Sequence, residues 1–343
     1  MTGLTATELA AVTGFLTTQG VAPAGPLTST RIAAGRSNLT VQLDDGVRRW
    51  VLRMPPRAGR TPSAHDVARE YRIIAALAGS DVPVPPATAL CEDLSVIGCP
   101  FAVAEYVEGR TIQSRSDLDT LDDATLAAVV DRLVAVLAAL HRVDHDAVGL
   151  AGLGRSGSYA ERQIRRWSRQ WELVAGDDPA TRRDAEELSR RLARGVPPQQ
   201  ATGIVHGDFR IDNTLLVLDD APAVAAVVDW ELSTIGDPVA DVATMCAYRH
   251  PAFDLIVGSP GAWTSPRLPG DDGLAAAYAA AGGVPLTSWD FHLALAHFKI
   301  AVIAAGIDHR HRVGAASGPG FDTAGAAVGP YLAAGLDLLG GHS

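Results

Sequence analysis

The sequence predicts an α+β protein in two parts, a β-rich lobe over 1–105 and a mostly helical lobe over 106–343. Three observations predict it. A chain of 343 residues exceeds what one hydrophobic core ordinarily organises. The stretch STRIAAGRSNLTVQLDDGVRRWVLRMPP (29–56) reads as three strands, joined by a small-residue turn at Gly35-Arg36-Ser37-Asn38 and a hairpin at Asp45-Gly46. Beyond Glu105 the apolar residues recur at helical spacing.

In chain order, ATELAAVTGFLTT (6–18) has helical apolar spacing and precedes the strands. A helix follows over about 64–79, with Val67, Tyr71, Ile74 and Leu77 on one face. VPVPPATALCEDLSVIGCPFAVAEYVEG (82–109) holds two more short strands, the second ending near Glu105. TLDDATLAAVVDRLVAVLAALHRVD (120–144) is a helix, with Leu126, Val129, Val130, Leu133, Leu137 and Leu140 as its apolar stripe. Its dipole is matched by Asp122 and Asp123 at the start and His141-Arg142 at the end. An arginine- and tryptophan-rich helix (158–174) and a charged helix near 180–194 come next. A short hairpin region follows, then helices over 272–283 and 288–310. There are no internal repeats.

Composition narrows the partners. Hydrophobic residues make up 47% of the chain, yet no uncharged apolar run reaches the length of a membrane span, so no membrane partner is expected. The first twenty residues lack a basic region and contain Glu8, which speaks against a secretory signal. Cys91, Cys99 and Cys246 have neither disulfide-framework nor metal-ligand spacing, so a reducing cytoplasm is expected. The net charge of −10, from 29 basic and 39 acidic residues, argues against nucleic acid as a partner. Lys299 is the only lysine; arginine supplies the rest of the positive charge.

The chemistry concentrates in IVHGDFRIDNTLLVLDDAPAVAAVVDWE (204–231), where carboxylates and an asparagine stand at the ends of apolar runs. Asp208 precedes Asn213 by five positions, the spacing of a kinase catalytic loop, and a hairpin then returns the chain to Asp229. Phosphoryl transfer needs a carboxylate beside the attacking hydroxyl and hard oxygen ligands for Mg²⁺. Asp208 fits the first role, Asn213 and Asp229 the second. The bland alternatives are a cap or turn role for Asp208, a turn residue for Asn213 and an N-cap for Asp229.

HGDFRIDN, DWELSTIGDPVADVA and FKIAVIAAGI together resemble the aminoglycoside phosphotransferase / choline kinase family, which has the protein-kinase-like fold. More narrowly they resemble the kinase-like domains fused to some acyl-CoA dehydrogenases, over about 30–310. The resemblance implies a bilobal kinase-like fold, ATP as donor, Mg²⁺ as cofactor and a small-molecule hydroxylated acceptor. It also implies that Arg53 pairs with Glu70 to hold the ATP phosphates, with arginine where protein kinases carry lysine. Ser37 and Asn38 stand where the phosphate-covering loop belongs, although a plain hairpin turn explains them equally well. Glu105 to Val107 resembles the hinge whose backbone meets adenine, and Val51, Val82 and Phe101 flank the base or simply pack a core. Arg210, two positions after Asp208, would stabilise charge on the moving phosphoryl group; a solvated loop arginine is the alternative. Asp241 resembles a buried aspartate that ties down the catalytic loop.

No GxxxxGK[ST] or GxSxG motif occurs, so P-loop NTPase and α/β-hydrolase chemistry are not expected. The paired Trp167 and Trp171 are expected in the core or against the acceptor. Two acceptors stay open, a hydroxyacyl compound and an aminoglycoside-like sugar. A catalytically inactive nucleotide-binding regulatory module and a hydrolase are the competing functions.

Overall fold

The computed structural model describes residues 3–33, 38–56, 66–154 and 157–340. Among them the chain forms two compact units. The first is Met1–Gly109 with Ala225–Ser233, and the second is Arg110–Val224 with Thr234–Ser343. A single cut at 105/106 does not anticipate the return of 225–233 to the first unit.

The first unit begins with α1 (Ala6–Thr18), opened by a capping box in which Thr5 and Glu8 each satisfy the other's backbone amide. The strands β1 (Thr28–Ala33), β2 (Leu39–Asp44), β3 (Arg49–Met54), β4 (Ala87–Cys91) and β5 (Phe101–Glu105) form an antiparallel sheet in the order β1-β2-β3-β5-β4. Helix α2 (Val67–Leu77), shorter than the expected 64–79, enters between β3 and β4, and α3 (Leu94–Ile97) joins β4 to β5. Strand pleating sorts the residues of β3. Trp50, Leu52 and Met54 are buried in a core with Val12, Leu16, Val41 and Phe101, and Arg53 points to the opposite face. Phe101 meets Phe15 edge-on at 5.2 Å, so it packs the core and does not flank a base.

The second unit is built on helices: α4 (Arg115–Leu118), α5 (Asp123–Arg142), α6 (Tyr159–Val174), α7 (Pro179–Arg194), α8 (Pro238–Ala247), α9 (Phe253–Val257), α10 (Asp271–Ala280), α11 (Trp289–Arg312) and α12 (Val328–Gly340). Short strands interrupt them. β6 (Gly203–Val205) pairs antiparallel with β9 (Thr234–Gly236), and β7 (Thr214–Val217) pairs with β8 (Ala223–Val227). The loop carrying Asp208 leaves β6, so the strand pair and the helices packed on it fix its root. Trp167 and Trp171 are buried in the core face of α6. Helices α5 and α11 are long and apolar enough to cross a bilayer. Half of the most apolar window of α5 and 89% of that of α11 lie inside the protein, as befits core helices.

Helix α11 also buries His297. Its Nδ1 bonds the Leu293 carbonyl at 2.8 Å, and its ring meets those of His250 and Tyr331. Burial pulls the His297 pKa down to about 4, with His250 adding to the effect against the Leu293 bond. The unfolded chain takes that proton near pH 6.5, so the stability held by neutral His297 is present above this pH and lost as pH falls towards 4. Unfolding measured across this window should weaken with acid, and His297→Gln should remove a share on the order of 3 kcal/mol. An unchanged pH slope in that variant would place the acid sensitivity elsewhere.

Candidate active site

In the second unit, Asp208 sits on a turn whose geometry is dictated by Asp241. The buried Asp241 carboxylate accepts the amides of His206 at 2.6 Å and Gly207 at 2.8 Å. His141 Nε2 lies 3.3 Å from the same carboxylate, and its Nδ1 is 2.7 Å from the Tyr278 hydroxyl. Burial alone would raise the Asp241 pKa, but His141 and the loop amides outweigh it and hold the carboxyl below its ordinary range. Gly207 has φ +82°, a left-handed conformation open to glycine, and this lets the chain turn sharply into Asp208.

The Asp208 carboxylate is held from two sides. Arg210 reaches it through Nε at 3.3 Å and Nη2 at 3.1 Å, and Asn213 Nδ2 donates to Oδ2 at 2.9 Å and to the Asp208 carbonyl at 2.7 Å. Burial works against its charge; Arg210, then Tyr248 and Lys299, more than compensate, and its pKa is lowered. Arg210 is no solvated loop residue. It also bonds Asp212 at 2.7 Å, and its guanidinium lies over the rings of Tyr248 at 4.8 Å and Phe253 at 5.0 Å. Asn213 spends its amide N–H groups on Asp208, which turns its Oδ1 away from that carboxylate; among the described residues this hard oxygen accepts no hydrogen bond.

The first unit gathers the other sequence-predicted residues. Arg53 Nε lies 3.2 Å from Glu70 Oε2, and Arg53 Nη2 lies 3.2 Å from Asp229 Oδ1. Asn38 Nδ2 donates to Glu70 Oε1 at 2.7 Å, and the buried Asn38 Oδ1 has no partner among the described residues. Glu70 is therefore a buried partner of Arg53. Burial pushes its pKa up to about 7; Arg53 pulls against this, while Asp229 and Glu231 reinforce it. Asp229 has φ +66°, and its side chain caps nothing in the turn that follows, which removes the capping explanation. The Glu105 amide is committed to the Pro86 carbonyl and the Tyr106 amide to that of Arg49, whereas the Val107 amide bonds no described residue. Ser37 lies outside the described residues.

Sequence reasoning missed three residues of the Asp208 surroundings. Tyr248 and Phe253 arrive from 40 or more positions downstream with no local signature. Lys299 had two signals, its status as the sole lysine and its place in FKIAVIAAGI, but neither gave it a role.

A buried aspartate thus clamps a loop that itself carries an aspartate, an arginine and an asparagine in mutual contact, the arrangement expected of a kinase-like phosphotransferase. The chain belongs to the phosphotransferase enzyme family, whose model matches residues 28–293. It is 37% identical over 303 residues to acyl-CoA dehydrogenase family member 10 of Mus musculus, covering 87% of this chain and 28% of that protein. Family member 11 of Gallus gallus is 36% identical over 324 residues, covering 92% and 41%. The chain thus spans well under half the length of these relatives. A solved aminoglycoside phosphotransferase-like protein from Ralstonia eutropha superposes with a TM-score of 0.82 at 35% identity, covering 96% of this chain and 97% of that one. Aminoglycoside phosphotransferase APH(4)-Ia, solved as a ternary complex with AMP-PNP and hygromycin B, superposes with a TM-score of 0.63 over 97% and 99% of the two chains; at 19% identity this likeness is one of fold.

The left-handed backbone at Asp229 can be tested apart from its charge. Asp229→Gly and Asp229→Ala both lose the Arg53 ion pair, but alanine keeps the penalty of positive φ. The glycine variant should be more stable by about 1 kcal/mol in denaturant melts. Equal stabilities would mean that residue 229 does not hold this conformation in solution.

Proposed function

We propose that the chain moves the γ-phosphoryl group of ATP to an alcohol hydroxyl of a small molecule, in a Mg²⁺-dependent reaction with Asp208 as the base. The observation that carries this reading is the Asp208 carboxylate, held ionised and immobile by Arg210 and Asn213 on a loop rooted in Asp241. A carboxylate with a lowered pKa is a weak base. Its work is to orient the acceptor hydroxyl and to take the proton late, as the new O–P bond forms and ADP departs. Arg210 then faces the incoming negative charge with its own charge already fixed.

Arg53, held by Glu70 and Asp229, binds the ATP phosphates; Ser37 and Asn38 are further candidates for phosphate contacts, and the backbone of Glu105 to Val107 meets adenine. Asn213 and Asp229 would be the protein's ligands to Mg²⁺, which would neutralise charge on the phosphate oxygens. Among the described residues no group of three or more His, Cys, Asp or Glu side chains could enclose a metal alone.

For the acceptor we favour a hydroxyacyl compound over an aminoglycoside-like sugar. Support comes from the acyl-CoA dehydrogenase names of the relatives and from the exposed Arg165, Arg166 and Arg169 of α6, suited to a carboxylate or phosphate on the acceptor.

Mg²⁺-dependent ADP release across a panel of hydroxyacyl compounds and amino sugars tests the reading. Asp208→Ala should lower turnover by about 10³-fold while nucleotide affinity changes little. Near-normal turnover in that variant removes Asp208 as the base. Phosphate release without acceptor would make the protein a hydrolase, and nucleotide binding with no turnover on any alcohol would make it an inactive module.

A further inference from the structure

The cation nearest the root of Asp208 is one that no catalytic motif accounts for. Lys299 lies on α11, between the buried Phe298 and Ile300, and is itself only 8% exposed. Its Nζ donates to the Gly207 carbonyl at 2.7 Å and has no second acceptor among the described residues. An ammonium buried with one hydrogen bond is expensive, and burial accordingly lowers its pKa; Asp208 and Asp241 are near enough to pull it back. A chain that uses arginine at every other cationic position retains lysine here.

The geometry gives a reason. Asp241 grips the amides of His206 and Gly207, so the chain entering the turn is fixed. The next peptide, from Gly207 to Asp208, is not gripped by Asp241; its N–H makes one long bond, to His206 Nδ1 at 3.3 Å, and its carbonyl needs a partner of its own. Lys299 holds the carbonyl of this peptide from the α11 side. A compact ammonium reaches this one carbonyl inside a packed core; a guanidinium could make the same bond, though with more donors left unmet.

We infer that Lys299 is a positioning residue for phosphoryl transfer: it locks the Gly207–Asp208 peptide and so fixes the direction of the Asp208 carboxylate. The inference rests on the phosphotransferase reading above, and two variants separate their failures. In the full chain, Lys299→Met should lower kcat by about 100-fold, with the ATP KM within about twofold and an unchanged or higher Tm, since a similar-sized apolar side chain replaces a buried charge. Lys299→Arg, which restores a donor and the charge, should recover at least about tenfold of that loss. Independently of turnover, amide exchange at Asp208 and Phe209 in substrate-free Lys299→Met should quicken while β6 and α8 stay protected. Unchanged kcat, or unchanged exchange at these amides, overturns the role of Lys299. So does a loss of kcat matched by equal losses in Tm and nucleotide affinity. A wild-type chain inactive on every acceptor refutes the phosphotransferase reading, and the exchange experiment then still decides whether Lys299 holds the loop.

Discussion

The arrangement around Asp208 depends on a second carboxylate, that of Asp241, which grips the backbone of its loop. Asp241 is buried, and a buried carboxylate is tolerated only where hydrogen bonds replace the water it has lost. It finds them in two consecutive backbone amides and a histidine. Consecutive amides point at one acceptor only when the backbone bends, and Gly207 supplies the bend. The demand of one charge for partners thus becomes the shape of the loop. His141 extends the same logic: bonded to Tyr278 on its other nitrogen, it ties α5 and α10 to the carboxylate on α8.

Arginine is used in this protein for its width. At Arg53, one edge of the guanidinium meets Glu70 and another meets Asp229, a span that a single ammonium could not cover with the same geometry. At Arg210, two carboxylates occupy the fork while two aromatic rings cover the plane. Both guanidinium groups are held by partners within the protein, so little side-chain freedom is left to them. Fixing charge in advance is what electrostatic stabilisation of a transition state requires.

Much of this was legible in the sequence, and what was not has a common cause. The strand pattern of 29–56 and the stripe of α5 are local periodicities; the three strands and the helix form where the spacing put them, while most of the turn at 35–38 lies outside the described residues. Asp208, Arg210 and Asn213 were legible because one short loop carries all three. Arg53 and Glu70 are 17 positions apart, and only likeness to a family linked them; their 3.2 Å contact is a tertiary fact. Tyr248, Phe253 and Lys299 reach the loop from helices whose packing no local pattern encodes. For the same reason the association of 225–233 with the first unit was invisible, since periodicity identifies an element but not its neighbours.

Buried ionic groups contribute little net stability, and apolar residues of similar volume often serve a core as well or better. Stability therefore does not explain why Asp208, Arg210, Asp241 and Lys299 are kept together within one helical unit. What such a network does supply is a unique arrangement, because each member left without its partner is penalised. The Asp208 carboxylate has an arginine and an amide on its oxygens, and its loop has a carboxylate and an ammonium on successive peptides. Few rotations of residues 206–208 keep all four contacts. Rigidity of this kind matters where atoms must be placed to within a fraction of an ångström, and reacting oxygens and phosphorus impose that demand.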